Sequence, residues 1–297
     1  MFNMFNLFKT ALRALTLSLF TLSSCGRKAE NADCMFVPEG YELYWSDEFD
    51  GTELNTENWT LEEGSHGWGN NELQCYTARK ENARVEDGRL VMTAIKEDYN
   101  GAPVTSARLI TKHKVTFKYG YVVASVKLPK TADGLWPAFW MMGDDIDELG
   151  WPRCGEIDIF EMGHADGIKA GVQDRFLNGA CHFSNQELGG HKYYAYNTTY
   201  PYALQDGEFH TFTCVWDETS VKMYIDREKN PEVEPYYQMT LENNYRDNEF
   251  RKENFILLNL AVGGNFPAIW DIEKVSGLSE GKAVMEVDYV RVFTKKK

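Results

Sequence analysis

The sequence predicts an all-β fold, a sandwich or a barrel, and three observations carry that reading. Short segments alternate apolar and polar residues and are rich in Val, Ile, Tyr, Phe and Thr. Turn signals punctuate them: Glu86-Asp87-Gly88, Ala132-Asp133-Gly134 and Gln205-Asp206-Gly207. No tandem repeat, low-complexity tract or long amphipathic helix interrupts the pattern. In chain order, Gly120–Leu128 is a Val-rich run opened by glycine, and Glu156–Glu161 interleaves acids with Ile. His210–Trp216 and Val221–Asp226 each mix polar and large apolar residues. Phe255–Val262 is apolar almost throughout, as a strand buried on both faces would be. In Met285–Phe293, plain alternation sets Met285, Val287, Tyr289 and Arg291 on one side and Glu286, Asp288, Val290 and Val292 on the other. These elements form one domain over residues 36–297, with no internal linker.

The 297 residues carry 31 Lys and Arg against 45 Asp and Glu, a formal net charge of −14. That balance argues against nucleic acid and anionic lipid as surface partners, because both would be repelled. An apolar content of 43% excludes a disordered chain. Six cysteines occur, at Cys25, Cys34, Cys75, Cys154, Cys181 and Cys214, with no C-x-x-C pair. This argues against a zinc ribbon or a dense disulfide framework and favours buried free thiols.

The N-terminus is a separate object. Residues 1–24 hold no acid, place Lys9 and Arg13 first, and continue into the apolar run Ala14–Leu22. That order reads as a secretory signal, and the run is short of the ~20 apolar residues of a membrane span. Leu22-Ser23-Ser24-Cys25 resembles the bacterial lipobox, which implies cleavage before Cys25 and lipidation of its thiol. The alternative is an ordinary signal with a chance cysteine. Residues 25–35 then form a lipidated tether. The expected location is the cell envelope, at the outer rather than the inner membrane.

The chemistry concentrates in Gly155-Glu156-Ile157-Asp158-Ile159-Phe160-Glu161. Glu156 and Asp158 share a strand face, and Glu161 joins them only if a β-bulge adds one residue to the strand. Three such carboxyls raise one another's pKa, so at least one keeps a proton near neutrality. Retaining glycoside hydrolysis needs that split, with two carboxyls about 5–5.5 Å apart. A solvated acidic face and a cation site are the competing readings. Upstream, Trp136 and Trp140 stand in Gly134-Leu135-Trp136-Pro137-Ala138-Phe139-Trp140-Met141-Met142, a run that suits either a sugar-stacking wall or plain core.

These residues resemble glycoside hydrolase family 16, specifically its laminarinase-like bacterial β-glucanases. The resemblance rests on Glu156-x-Asp158-x-x-Glu161 and on five further segments in the right order. They are Trp45-Ser46-Asp47-Glu48-Phe49-Asp50-Gly51, Gly69-Asn70-Asn71-Glu72-Leu73-Gln74, Ser106-Ala107-Arg108-Leu109, Phe255–Gly264 and Val287–Val292. It implies a β-jelly-roll, concanavalin-like sandwich of two curved antiparallel sheets with an open concave cleft. It implies endo-hydrolysis with retention, with Glu156 as nucleophile, Glu161 as acid/base and Asp158 assisting. Trp136 and Trp140 would be sugar platforms, and Asn71 and Arg108 would bind hydroxyls on the non-reducing side. His182 would contact sugar beyond the cut or serve structure, and Asn259 would face the cleft or satisfy a neighbouring strand. The family also suggests a structural calcium held near Glu48, Gly88 and Asp288, while catalysis needs no cofactor. Residues 143–154 look like the laminarinase-type loop, and Asn178–Tyr196 would shape the product side.

The expected partner is β-glucan: β-1,3-glucan, with mixed-linkage β-1,3-1,4-glucan as a further substrate. The chain is expected to be a monomer, held at a membrane by its lipid anchor. Two other functions compete: a non-catalytic glycan-binding lipoprotein on the same fold, and a hydrolase of a galactan such as agarose or carrageenan.

Overall fold

Alternation in the sequence becomes two sheets with a shared core. The computed structural model describes residues 35–184, 190–241 and 249–296. The predicted signal, the lipidated Cys25 and all of the tether except Met35 lie outside the described residues, as does Cys34.

Among the described residues one sheet has eight strands and the other ten. The eight-stranded sheet starts at an edge strand, His191–Thr199, beside a histidine strand, Phe176–Ser184. Next come the acidic strand Glu156–Met162, the tryptophan strand Leu135–Gly143 and the asparagine strand Asn254–Val262. Arg108–Ile110 and Thr60–Leu61 complete the path. In the ten-stranded sheet, Lys282–Lys295 lies at the centre, between Gly120–Lys127 and Arg89–Ile95. The pairings are antiparallel except for Cys75–Tyr76 on Thr105–Ser106. This is the antiparallel jelly-roll sandwich that the resemblance implies.

All six predicted strands are present. His210–Trp216 has the expected bounds, and the strand predicted to end at Asp226 ends at Ile225. Asp226 adopts a φ of 52°, which takes it out of the extended run. Asp87 and Gly88, with φ of 51° and 72°, form the two-residue turn joining Ala83–Glu86 to Arg89–Ile95. Positive φ at both turn residues matches the right-handed twist of a hairpin and favours glycine.

The core lies between the sheets. Phe160 of the acidic strand and Phe212 of the opposing sheet bring their ring centroids within 4.1 Å, and both are fully buried. Burying a side chain of this size stabilises the fold by about 1.5–3 kcal/mol. The last strand corrects the plain alternation read from sequence. Its register slips between Val287 and Tyr289, so Asp288 forms a bulge. Met285 and Val287 face the sandwich core before it, and Val290 and Val292 after it. Tyr289 and Phe293 turn to the outer face, where they join Tyr121 and Val123 under Phe36 and Tyr41.

Candidate active site

The acidic strand owes its chemistry to one extra residue. Glu156, Asp158 and Glu161 stand opposite His182, Ala180 and Asn178 of the histidine strand. On the other side they stand opposite Met142, Trp140 and Ala138. Three steps on the acidic strand therefore match two on each neighbour, which is a β-bulge. The bulge lets Ile159 and Phe160 both bury in the core while Glu161 returns to the face of Glu156 and Asp158. All three carboxylates line one cleft of about 940 Å³.

Each carboxyl has its own partners. Trp151 donates its indole N–H to Glu156 Oε2 at 3.1 Å, and Trp136 donates to Glu161 Oε1 at 2.9 Å. His182 Nε2 lies 3.2 Å from Asp158 Oδ2 and 3.8 Å from Glu156 Oε1. Burial pushes the Glu156 carboxyl up to about 8, and the Asp158 charge adds to the shift. His182, Arg108 and the Trp151 N–H pull it back. Burial raises Asp158 too. Glu161 lies well above the usual carboxylate range, through burial and then the Asp158 charge, with Trp136 opposing. The strip therefore shares fewer than three negative charges near neutrality, the condition for one group to attack while another gives a proton.

The other predicted residues fall in different places. Trp140, half-buried, lines the cleft and donates its N–H to Asn259 Oδ1 at 2.7 Å. Asn259 thus does both things its position allowed, lining the cleft and satisfying a neighbouring strand. Arg108 lies with its guanidinium 4.7 Å from the Trp68 ring and 4.9 Å from the Trp140 ring, and its Nε donates to Glu62 at 2.5 Å. Trp136 lines the cleft but is only 8% exposed, and Phe266 stacks on one face at 4.6 Å and 9°. Asn71 stands exposed, with a φ of 56° and its side chain on Asn265 at 3.0 Å. The cleft wall there comes from its neighbours Asn70 and Glu72.

Several wall residues were not singled out from sequence: Trp68, Trp151, His191, Tyr193 and Phe266. The strongest available signal was Trp151, an aromatic in a polar loop just before the acidic strand. His191 and Tyr193 lie in the segment expected to shape the product side, and both sit on the edge strand.

The family model described as "Beta-porphyranase A-D, GH16 domain" matches residues 43–295 of this chain. The chain belongs to glycoside hydrolase family 16. The family 16 protein of a Bacteroides ovatus mixed-linkage glucan PUL, solved in complex with a G4G4G3G product, is 38% identical, with a TM-score of 0.74. The match covers 84% of this chain and 100% of that one. The glucan endo-1,3-beta-glucosidase of Cryptopygus antarcticus is 36% identical over 276 residues, 89% of this chain and 96% of that protein. The beta-glucanase of Rhodothermus marinus is 35% identical over 265 residues, 85% of each. Other relatives are longer: the match spans 35% of the clotting factor G alpha subunit of Tachypleus tridentatus and 38% of the glucan endo-1,3-beta-glucosidase A1 of Niallia circulans.

Family 16 membership bears on the suggested calcium segments. Register sets Asp47 opposite Val290 and Leu90 opposite Val287, so the strands that end just before Glu48 and begin just after Gly88 both pair with the strand that carries Asp288. The Glu48 carboxylate, however, is engaged by Arg291, which donates Nε and Nη2 to its two oxygens at 2.8 Å each. A cation there would draw on main-chain carbonyls and Asp288 rather than on the Glu48 side chain.

Proposed function

We propose that this chain is a retaining, endo-acting hydrolase of β-1,3-glucan that also accepts mixed-linkage β-1,3-1,4-glucan. The observation that carries the reading is the three-carboxylate face of a bulged strand, with an indole N–H on each outer member. Glu156 attacks the anomeric carbon as the glycosidic C–O bond breaks, and Glu161 gives its proton to the departing oxygen. Glu161 then takes a proton from water, which attacks the same carbon and releases Glu156 with overall retention. Trp151 and His182 favour the ionised form of Glu156, while burial keeps a proton on Glu161. Asp158, between them, tunes both by its charge. Arg108, Trp140 and Asn259 form a wall for sugar rings on one side of the cut, and Asn71 is hydrogen-bonded to Asn265 of the same cleft. His182 flanks the other side. Glu156→Gln should abolish release of reducing sugar from laminarin while leaving the fold and glucan binding intact. Full turnover by that variant would sink the assignment.

A galactan-hydrolase reading is supported by the porphyranase description of the matching family model and by two more distant relatives, a keratan-sulfate endo-1,4-beta-galactosidase at 26% identity and a kappa-carrageenase at 24%. The cleft weighs against sulfated galactans. Glu72, Glu156, Asp158, Glu161 and Asp166 line it, and its Arg108 is paired with Glu62. A non-catalytic glycan-binding role would tolerate loss of Glu156 or Glu161, and both are present. Comparing products from laminarin, lichenan and agarose separates the three readings.

We also propose export as an outer-membrane lipoprotein anchored through Cys25, on the strength of the charge-then-apolar order of residues 1–24 and the Leu22–Cys25 motif. Cys25→Ala should move the protein from membrane to soluble fractions; unchanged membrane association would refute the anchor. A structural calcium between the Glu48 and Gly88 carbonyls and Asp288 is supported by the adjoining strands and the Asp288 bulge. Elemental analysis, with melting before and after chelation, tests it. A monomer is expected by size exclusion with light scattering.

A further inference from the structure

Three of the cleft residues also have the arrangement of a metal site. His182 Nε2, an Asp158 carboxylate oxygen and a Glu156 carboxylate oxygen lie within 4.8 Å of one another. Among the described residues no other group of His, Cys, Asp and Glu ligand atoms converges in this way. A tetrahedral zinc-class ion with bonds of ~2.0–2.1 Å keeps its ligand atoms roughly 3.3–3.4 Å apart. The His182 separations of 3.2 Å to Asp158 and 3.8 Å to Glu156 bracket that edge, so small side-chain rotations would complete it.

Two more features point to a cation rather than to a bare acidic cluster. Asp158 is 4% exposed, and its Oδ2 faces His182 without making a hydrogen bond. A buried carboxylate oxygen left so is costly unless something positive meets it. On the far side of the ring, His182 Nδ1 is hydrogen-bonded to His191 Nε2 at 2.8 Å. In the tautomer that donates from Nδ1 to His191, the Nε2 lone pair is left toward the two carboxylates. A hydrogen-bond partner on the other ring nitrogen is the usual way a metal-binding histidine is oriented. The Trp151 ring, 4.5 Å from that of His191, supports the partner in turn.

We infer that a zinc-class divalent ion binds across Glu156, Asp158 and His182 and blocks hydrolysis. Imidazole with carboxylate oxygens suits zinc and its neighbours better than calcium or magnesium, which prefer oxygen alone. All three ligands line the cleft, so a remaining coordination position would be open to water or a sugar hydroxyl. Only the inhibition depends on the glucanase reading, because Glu156 cannot attack while it is a ligand; the binding does not depend on it.

The test adds Zn²⁺ alone to the full chain in calorimetry, with Co²⁺ as a visible-absorption reporter of a low-coordinate site. One equivalent is expected to bind. His182→Gln and Asp158→Asn should each weaken it at least about tenfold, and His191→Ala by roughly 10–100-fold, as loss of a ligand's orienting hydrogen bond does. Circular dichroism checks that each variant is folded. Laminarin oligosaccharides should displace the ion, and a chelator should restore activity. A folded wild-type chain that binds no stoichiometric zinc, or variants that bind it undiminished, would overturn the site. Bound zinc with full laminarin turnover would overturn the inhibition. Zinc binding lost in the variants of a chain that cuts no β-glucan would support the site and refute the glucanase reading.

Discussion

The hydroxyl of Tyr236 donates to the main-chain carbonyl of Ile159, the extra residue of the acidic strand. A bulge removes one carbonyl from regular strand pairing, and this phenol supplies the missing donor. Gly179, on the histidine strand opposite the bulge, makes the approach feasible. A Cβ there would sit 3.1 Å from Tyr236 Cε2 and 2.9 Å from Met223 Sδ. Tyr236→Phe should lower stability by about 1–3 kcal/mol, the cost of an unsatisfied buried carbonyl. Because the bulge sets the position of Glu161, kcat should fall while KM changes little. Thermal melting and steady-state kinetics on laminarin check both, and an unchanged kcat would separate the bulge from catalysis.

Trp136→Phe keeps the stack on Phe266 but removes the N–H from Glu161. That hydrogen bond favours the ionised carboxyl, so its loss raises a pKa already well above the usual range. The alkaline limb of the kcat/KM profile, where the general acid loses its proton, should move upward by roughly several tenths of a pH unit. A downward move would mean that Trp136 acts on Glu161 by some route other than this bond.

Glu156→Gln should stabilise the fold, and more so at high pH. Burial raises this carboxyl from its usual 4.5 to about 8. A folded value above the unfolded one means that its contribution is fully present below 4.5 and is lost as pH rises through about 8. Glutamine has no charge to desolvate. The gain should be near zero at acid pH and grow to on the order of a few kcal/mol above pH 8, at about 1.4 kcal/mol per pKa unit. Chemical denaturation of both proteins across pH measures it, and a pH-independent difference would contradict the burial argument.

Arg108→Lys should raise KM for β-glucan by about tenfold and change kcat less, the signature of lost binding shared by ground and transition states. The planar guanidinium fits between Trp68 and Trp140 and keeps Glu62 in place. An ammonium stacks less well and lacks the fork. Equal falls in kcat and kcat/KM would instead put Arg108 in the transition state.

Much of the fold was legible because apolar alternation is a local property. Gly120–Leu128 and His210–Trp216 could be read from composition and turns alone. Ile159 and Asp288 mark where the reading fails. A bulge breaks a period of two, and the only local sign on the acidic strand was the consecutive apolar pair Ile159-Phe160 ahead of Glu161. The positions of Glu156, Asp158, Glu161, Trp140 and Arg108 in one cleft followed from resemblance rather than from any pattern. Trp151, His191 and Tyr193 escaped notice because their places depend on register and loop path. Tyr193 reaches the cleft through its pairing with His182, eleven residues earlier, and it is that register rather than the identity of either residue that sets it there.

The edge strand His191–Thr199 has a ladder neighbour on one side only, whereas the acidic strand is held on both. It nevertheless lends His191, Tyr193, Ala195 and Asn197 to the cleft. Substitutions there disturb one set of pairings and little core, so they should be accepted more readily than changes two strands inward. Descendants of this sequence could therefore vary the cleft at that end while inheriting the three-carboxylate strand unaltered.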